Sequence, residues 1–214
     1  MKKLLSVLFL CVVLYGCSED RVLYEKLTNK GTVERPIMYL KGRLFSGSCY
    51  NLYDDGTLMY EVKYKDGKMD GLYKGWNSNG QLEFESNYRS GLMEGLQRGW
   101  YPNGQLWSEE NFNDGKKDGL WREWYENGQL EWECFYKNGE WDGIARRWYS
   151  NGQLEEEISY KDGLDDGLAR RWHSNGQLEW EYNYRNGLEE GLARRWNSIG
   201  QLMFEVNYKD GVRN

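Results

Sequence analysis

The stretch Asp142-Gly143-Ile144-Ala145-Arg146-Arg147-Trp148-Tyr149-Ser150-Asn151-Gly152-Gln153-Leu154, followed by Glu157 and then Tyr160-Lys161-Asp162-Gly163, decides the reading of this chain. It contains two short strand-like runs, two Gly-marked turns and a Trp, and it recurs. Gly152 belongs to a column at 56, 80, 104, 128, 152, 176 and 200 with a constant step of 24 residues. A second Gly column (67 to 211) and a third (71 to 191) keep the same step, and so do Trp76, Trp100, Trp124, Trp148, Trp172 and Trp196. Unbroken self-similarity at such a period is the mark of a repeat array, in which each unit buries its apolar face against its neighbours.

Inside each unit the signals are those of β-hairpins. Leu178, Trp180, Tyr182 and Tyr184 alternate with Glu179, Glu181, Asn183 and Arg185, which is the period of a strand with one buried face. Tyr101-Pro102-Asn103-Gly104 fixes the turn: Pro102 suits the first central position of a type I turn, and Gly104 the left-handed position that follows it. The resulting three-residue loop predicts Trp100 opposite Leu106, Arg98 opposite Ser108 and Leu96 opposite Glu110, with Trp and Leu together on a core face. Three units further on, the same count predicts Trp172 opposite Leu178, Arg170 opposite Trp180 and Leu168 opposite Tyr182. The Arg stems on that face are expected to lie over rings. Arg147 with Glu155 and Arg171 with Glu179 are expected on the other face, which also takes the Glu column 61, 85, 109, 133, 157, 181 and 205. Gly-rich links such as Asn186-Gly187-Leu188-Glu189-Glu190-Gly191 return the chain to the next hairpin. The fold class is therefore all-β: an elongated single-layer antiparallel sheet of stacked β-hairpins.

Composition agrees with such a thin core. The 214 residues include 11 Trp, 17 Tyr, 26 Gly and 2 Pro, with only 39% hydrophobic residues. So many rings exclude a disordered chain. A formal charge of -6 disfavours nucleic acid as a partner, because phosphate contacts need a basic surface. A single His removes most triads and His-based metal sites.

The N-terminus reads as an address. Lys2 and Lys3 precede an apolar run from Leu4 to Leu14, too short to span a bilayer and suited to a signal peptide over 1–16. Gly16-Cys17 resembles the lipobox of bacterial lipoproteins, which implies lipid attachment at Cys17. It implies residence at the cell envelope, on the outer membrane where the host is Gram-negative. Residues 17–35 then form the lipidated Cys and a tether, and 36–214 the repeat array, with about 36–55 a worn first unit acting as a cap. Removing the signal leaves Cys49 and Cys134, some three and a half units apart. Linear stacking holds them beyond disulfide reach, as two buried or half-buried thiols.

The units quoted above resemble the MORN repeat variant of bacterial proteins, often grouped as the YwqK-type antitoxin family. The resemblance covers roughly residues 36–213. It implies a MORN-like repeat solenoid and a protein partner, a toxin among the options. Eukaryotic MORN arrays have been linked to scaffolding and to phospholipid headgroups, and an acidic surface disfavours the latter.

Chemistry is sparse. Asp165-Asp166, Glu155-Glu156-Glu157 and Glu189-Glu190 recur with the repeat or sit in turns, and read as solvated positions. His173 stands where neighbouring units carry Tyr149 or Asn197. No catalytic residue, metal ligand or cofactor is assigned. The features with a functional edge are Arg147, Arg171 and Arg195, about 10 Å apart opposite the Trp stripe. Beside them a column changes from Tyr73, Gln97 and Trp121 to Ala145, Ala169 and Ala193. Variation confined to one face of a solenoid marks where partners bind. With Trp107 and Trp121, whose rings could stack on sugars, these arginines form the candidate partner surface. The expected function is a membrane-anchored, non-catalytic scaffold for another protein. The alternatives are an antitoxin or immunity-type binder and a glycan or cell-wall binding module.

Overall fold

A computed structural model describes residues 21–32 and 36–214. Nineteen strands form one long sheet, with adjacent strands in sequence order pairing antiparallel. Arg21–Leu23 alone pairs parallel, with Gly47–Leu52. A small three-stranded sheet of Thr28–Asn29, Met38–Leu40 and Arg43–Leu44 lies beside it.

Two kinds of tight turn alternate. At 101–105 the Tyr101 N–H donates to the Gln105 carbonyl at 2.8 Å, the Gly104 N–H donates to the Tyr101 carbonyl at 2.8 Å, and Gly104 has φ +84°. This is the type I turn with a left-handed Gly that Pro102 implied. The opposite edge is turned by Asp114-Gly115, Asp162-Gly163, Asn186-Gly187 and their relatives, with both residues at positive φ, the geometry of a type I′ turn. In these turns the αL N–H is held from 20 residues earlier in the chain. Asn138 N donates to Asp118 Oδ2 at 3.0 Å, and Asn186 N to Asp166 Oδ2 at 3.1 Å. The turn carboxylates at these positions therefore have structural work, which corrects their reading as merely solvated.

The register departs from the expected one at one recurring point. Trp100 faces Leu106 and Trp172 faces Leu178, as expected. A β-bulge then inserts one residue, so Gly99 faces Ser108, Arg98 faces Glu109 and Leu96 faces Asn111. Likewise Arg170 faces Glu181, Arg171 faces Trp180 and Ala169 faces Tyr182, in place of Arg170 with Trp180 and Leu168 with Tyr182. The inserted residue, Trp107 in its unit, lies over Gly99. A Cβ on Gly99 would come within 2.3 Å of the indole nitrogen, so the missing side chain makes the ring's place.

The slip redistributes the two faces. The Glu column joins the Trp column's own face, where it pairs with basic residues 11 positions earlier: Arg98 to Glu109 at 3.0 Å, and Arg122 to Glu133, Arg146 to Glu157 and Arg170 to Glu181 each at 2.7 Å. These arginines meet carboxylates in place of the expected rings. The core also lies on the opposite side from the one expected. Trp100 and Leu106 share a face, but the buried residues Cys49, Val62, Tyr64, Ser86, Ser108, Cys134, Ala145, Ala169, Ala193 and Val206 belong to the other, here termed the tyrosine face. On the Trp face, Leu72, Phe135 and Ile144 remain exposed.

At the N-terminal end Val22, Met38 and Phe45 pack on Cys49, Val62 and Tyr64, with Leu27 and Leu40 around them. This apolar cluster covers the first units, so residues in the 17–35 stretch contribute to the cap from Arg21 onward. Cys49 and Cys134 are free and buried, as linear stacking requires.

Candidate functional site

The candidate residues share the tyrosine face: alternation with the Trp column puts Arg147, Arg171, Arg195 and Trp121 there, and the bulge adds Trp107. Across seven neighbouring strands, Trp132, Arg147, Glu156, Arg171, Trp180, Arg195 and Phe204 stand opposite one another in a single row. Beside this row runs Ala145, Ile158, Ala169, Tyr182, Ala193 and Val206. The three alanines are almost fully covered, since the taller neighbours on each side close over a methyl.

The arginines do not stand free. Arg147 Nη2 lies 3.9 Å from Glu131, and its Nε lies 3.6 Å from Glu155. Arg171 Nη2 lies 2.8 Å from Glu155, and its Nε 3.7 Å from Glu179. Arg195 Nη2 completes the zigzag at 3.2 Å from Glu179. The pairing with Glu155 and Glu179 is as expected, although the bulge offsets the backbone register by one. Each inner glutamate serves two arginines, and Glu155 is 8% exposed. Burial works against the Arg171 guanidinium, but the carboxylates of Glu155, Glu156 and Glu179 outweigh it and raise its pKa. Burial also lifts the Glu156 carboxyl above the usual range against the pull of Arg171. With their side chains 41% to 51% exposed, the arginine pairs contribute about 0.2 to 1 kcal/mol each. The ribbon presents guanidinium and carboxylate edges at almost no net charge.

The two tryptophans sit in earlier units of the same face. Trp107 covers Gly99 and is 39% exposed. Trp121 is half-buried, faces Glu110 and Cys134, and tilts against Tyr136 at 5.6 Å between centroids. Lys117 Nζ lies 3.5 Å from its centroid and 3.0 Å from Glu110 Oε2. The five candidates thus share a face along the array without forming one cluster. Cys17 lies outside the described residues.

Sequence reasoning missed the residues that join the units. The hydroxyls of Tyr53, Tyr101, Tyr125 and Tyr149 donate to the carbonyls of Trp76, Trp124, Trp148 and Trp172 at 2.7 to 2.8 Å. His173 holds the same place, with Nε2 3.3 Å from the Trp196 carbonyl, so its role is that of the Tyr it replaces. The signal was available, because a Tyr follows Trp100, Trp124 and Trp148, and Tyr53 follows Leu52, which takes the Trp place. Among the described residues no group of three or more His, Cys, Asp and Glu side chains is arranged to hold a metal ion.

Comparison with known proteins gives one result. No curated protein matches the chain. The model of the MORN repeat variant matches residues 69–90, 93–114, 117–139, 141–162 and 165–186, in phase with the 24-residue step and just over half of the chain. With its stacked hairpins and these five matched units, the chain belongs to the MORN repeat variant family.

Proposed function

We propose that this protein is a non-catalytic scaffold that binds another protein across its tyrosine face, held at the bacterial envelope by a lipid on Cys17. The observation that carries the reading is the sharing of one face by Trp107, Trp121, Arg147, Arg171 and Arg195. A long, rigid sheet displays those residues at fixed intervals, which suits capture of an extended partner surface. A toxin, the partner class that the antitoxin resemblance implies, is one form of this reading. Photo-crosslinking from position 107 in intact envelopes tests it: the expected result is one specific protein adduct that a crosslinker at Ile144, on the opposite face, does not give. Equal adducts from both faces, or none from 107, would reject it.

A second reading, a glycan-binding module, is favoured by Trp107 alone. Its half-exposed ring backs on Gly99 and leaves a surface for a sugar to stack on. A glycan array without hits removes it.

A further inference from the structure

Lys117 sits between rings and a carboxylate of its own face. Its ammonium lies 3.5 Å from the Trp121 ring centroid, 5.3 Å from that of Tyr136 and 3.0 Å from Glu110 Oε2. Two rings and a carboxylate thus surround one cation, an arrangement that suits a lysine or arginine head group from any source.

The Tyr136 position repeats as Tyr160, Tyr184 and Tyr208. The Lys117 position runs Met69, Met93, Lys117, Trp141, Asp165 and Glu189. The register sets the two columns side by side, with Tyr136 facing Trp141, Tyr160 facing Asp165 and Tyr184 facing Glu189. Where one unit supplies its own cation beside a ring, the later units supply a carboxylate beside the same ring. Among the described residues Asp165 and Glu189 form no ion pair, unlike Glu131, Glu155 and Glu179 two rows away. Arg213, at the end of the same column, is the one basic residue of the row beyond Glu189, and it faces Tyr208. The backbone here is fixed, since the Gly187 and Gly211 N–H groups donate to the Asp165 and Glu189 carbonyls at 2.8 and 2.9 Å. Trp141 packs edge-on to Tyr160 at 4.6 Å, and Tyr182 stacks on Tyr184 at 6.3 Å, which holds the rings in place. Burial, with Glu189 and Asp165 nearby, pushes the Tyr184 hydroxyl up to about 12, in keeping with an environment short of positive charge.

Resting on the protein-binding reading above, we propose that Tyr160 with Asp165 and Tyr184 with Glu189 form a docking strip for basic side chains of a partner's polyproline-II segment. Each Lys or Arg seats on one ring and one carboxylate. Two strands per unit advance the strip about 10 Å. A polyproline-II chain returns every third residue to the same side after about 9.3 Å, and such chains dock on aromatic surfaces. An extended strand returns after about 6.7 Å and falls out of step.

The probe is the peptide (Lys-Pro-Pro)4, titrated by calorimetry into the whole chain. Saturable binding is expected, at least tenfold weaker for the double variant Asp165→Asn with Glu189→Gln. It should be unchanged for Glu83→Gln with Glu126→Gln, which removes the same charge elsewhere. Affinity within twofold across all three proteins overturns the strip, as does equal binding of (Glu-Pro-Pro)4, of (Lys-Ala)6 with its two-residue spacing, or of a helical peptide with Lys every seventh residue. Far-UV circular dichroism confirms that each variant is folded. If an envelope protein crosslinks at position 107 equally in wild type and in Asp165→Asn with Glu189→Gln, the strip falls and the protein-binding reading stands. If peptide binding holds while no protein crosslinks at 107, the strip stands and the broader reading falls.

Discussion

The Tyr125 hydroxyl donates a 2.7 Å hydrogen bond to the backbone carbonyl of Trp148, one turn edge away in the next unit. Repeats of this kind are stable only through such neighbour contacts. Tyr125→Phe keeps the ring and removes the bond, so it is expected to cost about 1 kcal/mol. Urea unfolding reads this as a lower midpoint; an unshifted midpoint would mean that the tie adds nothing to the packed interface.

Asp118 makes the corresponding link on the opposite edge, accepting from the Asn138 N–H at 3.0 Å where that residue sits at φ +55°. Asp118→Ala should lower stability by about 1 kcal/mol. Asn138→Gly, which relaxes the left-handed strain while keeping the acceptor, should lower it less. The paired comparison by thermal melting is the check, and equal losses would deny the carboxylate its role.

Glu123 is half-buried, and its carboxyl is raised above 4.5, first by desolvation and then by Glu131 and Glu110, against the pull of Lys117. A raised folded-state value means that the folded protein prefers the protonated form. Its contribution is therefore favourable below about pH 4.5 and is lost as pH rises through the folded-state value. Glu123→Gln should stabilise the protein at pH 7, with the gain shrinking as pH falls toward 4.5. A gain that is constant with pH would assign the effect to packing.

Burial lifts the thiols of Cys49, to about 12, and of Cys134, to about 11, where the Trp132 indole N–H donates to its sulfur at 3.2 Å. Thiolate is the reactive form, so a folded protein at pH 8 should leave both thiols unlabelled by Ellman's reagent for hours. Both should react at once in guanidinium. Rapid native labelling of Cys134 would show that its unit opens.

How much of this was legible in the sequence varies with the kind of information. The step of 24 residues, the turn at Pro102-Asn103-Gly104 and the all-β hairpin array were open to counting and turn chemistry. The bulge was not, because alternation in a strand is read as unbroken and nothing at Trp107 announces an inserted residue. Gly99 was the available clue, since a Gly opposite an aromatic leaves room for a ring to fold over it. That one residue moved Arg170 from Trp180 to Glu181 and carried the core to the other face. For the candidate site, Arg147, Arg171 and Arg195 were correctly set opposite the Trp column, and their pairing with Glu155 and Glu179 was foreseen. The shared use of Glu155 by two arginines was not, because it depends on side chains crossing between strands of successive hairpins.

On the proposed function the tyrosine face, with its arginine ribbon, captures another protein. Replacing Arg147, Arg171 and Arg195 by Glu would set like charges against Glu155 and Glu179, so the triple Gln variant is the cleaner probe. The deciding measurement is crosslinked adduct yield from position 107 in intact envelopes, for wild type and for Arg147→Gln, Arg171→Gln, Arg195→Gln, with thermal melts confirming that both are folded. Adduct is expected to fall at least tenfold while the melting temperature drops by only a few degrees; undiminished adduct from a folded triple variant would rule out capture by this face.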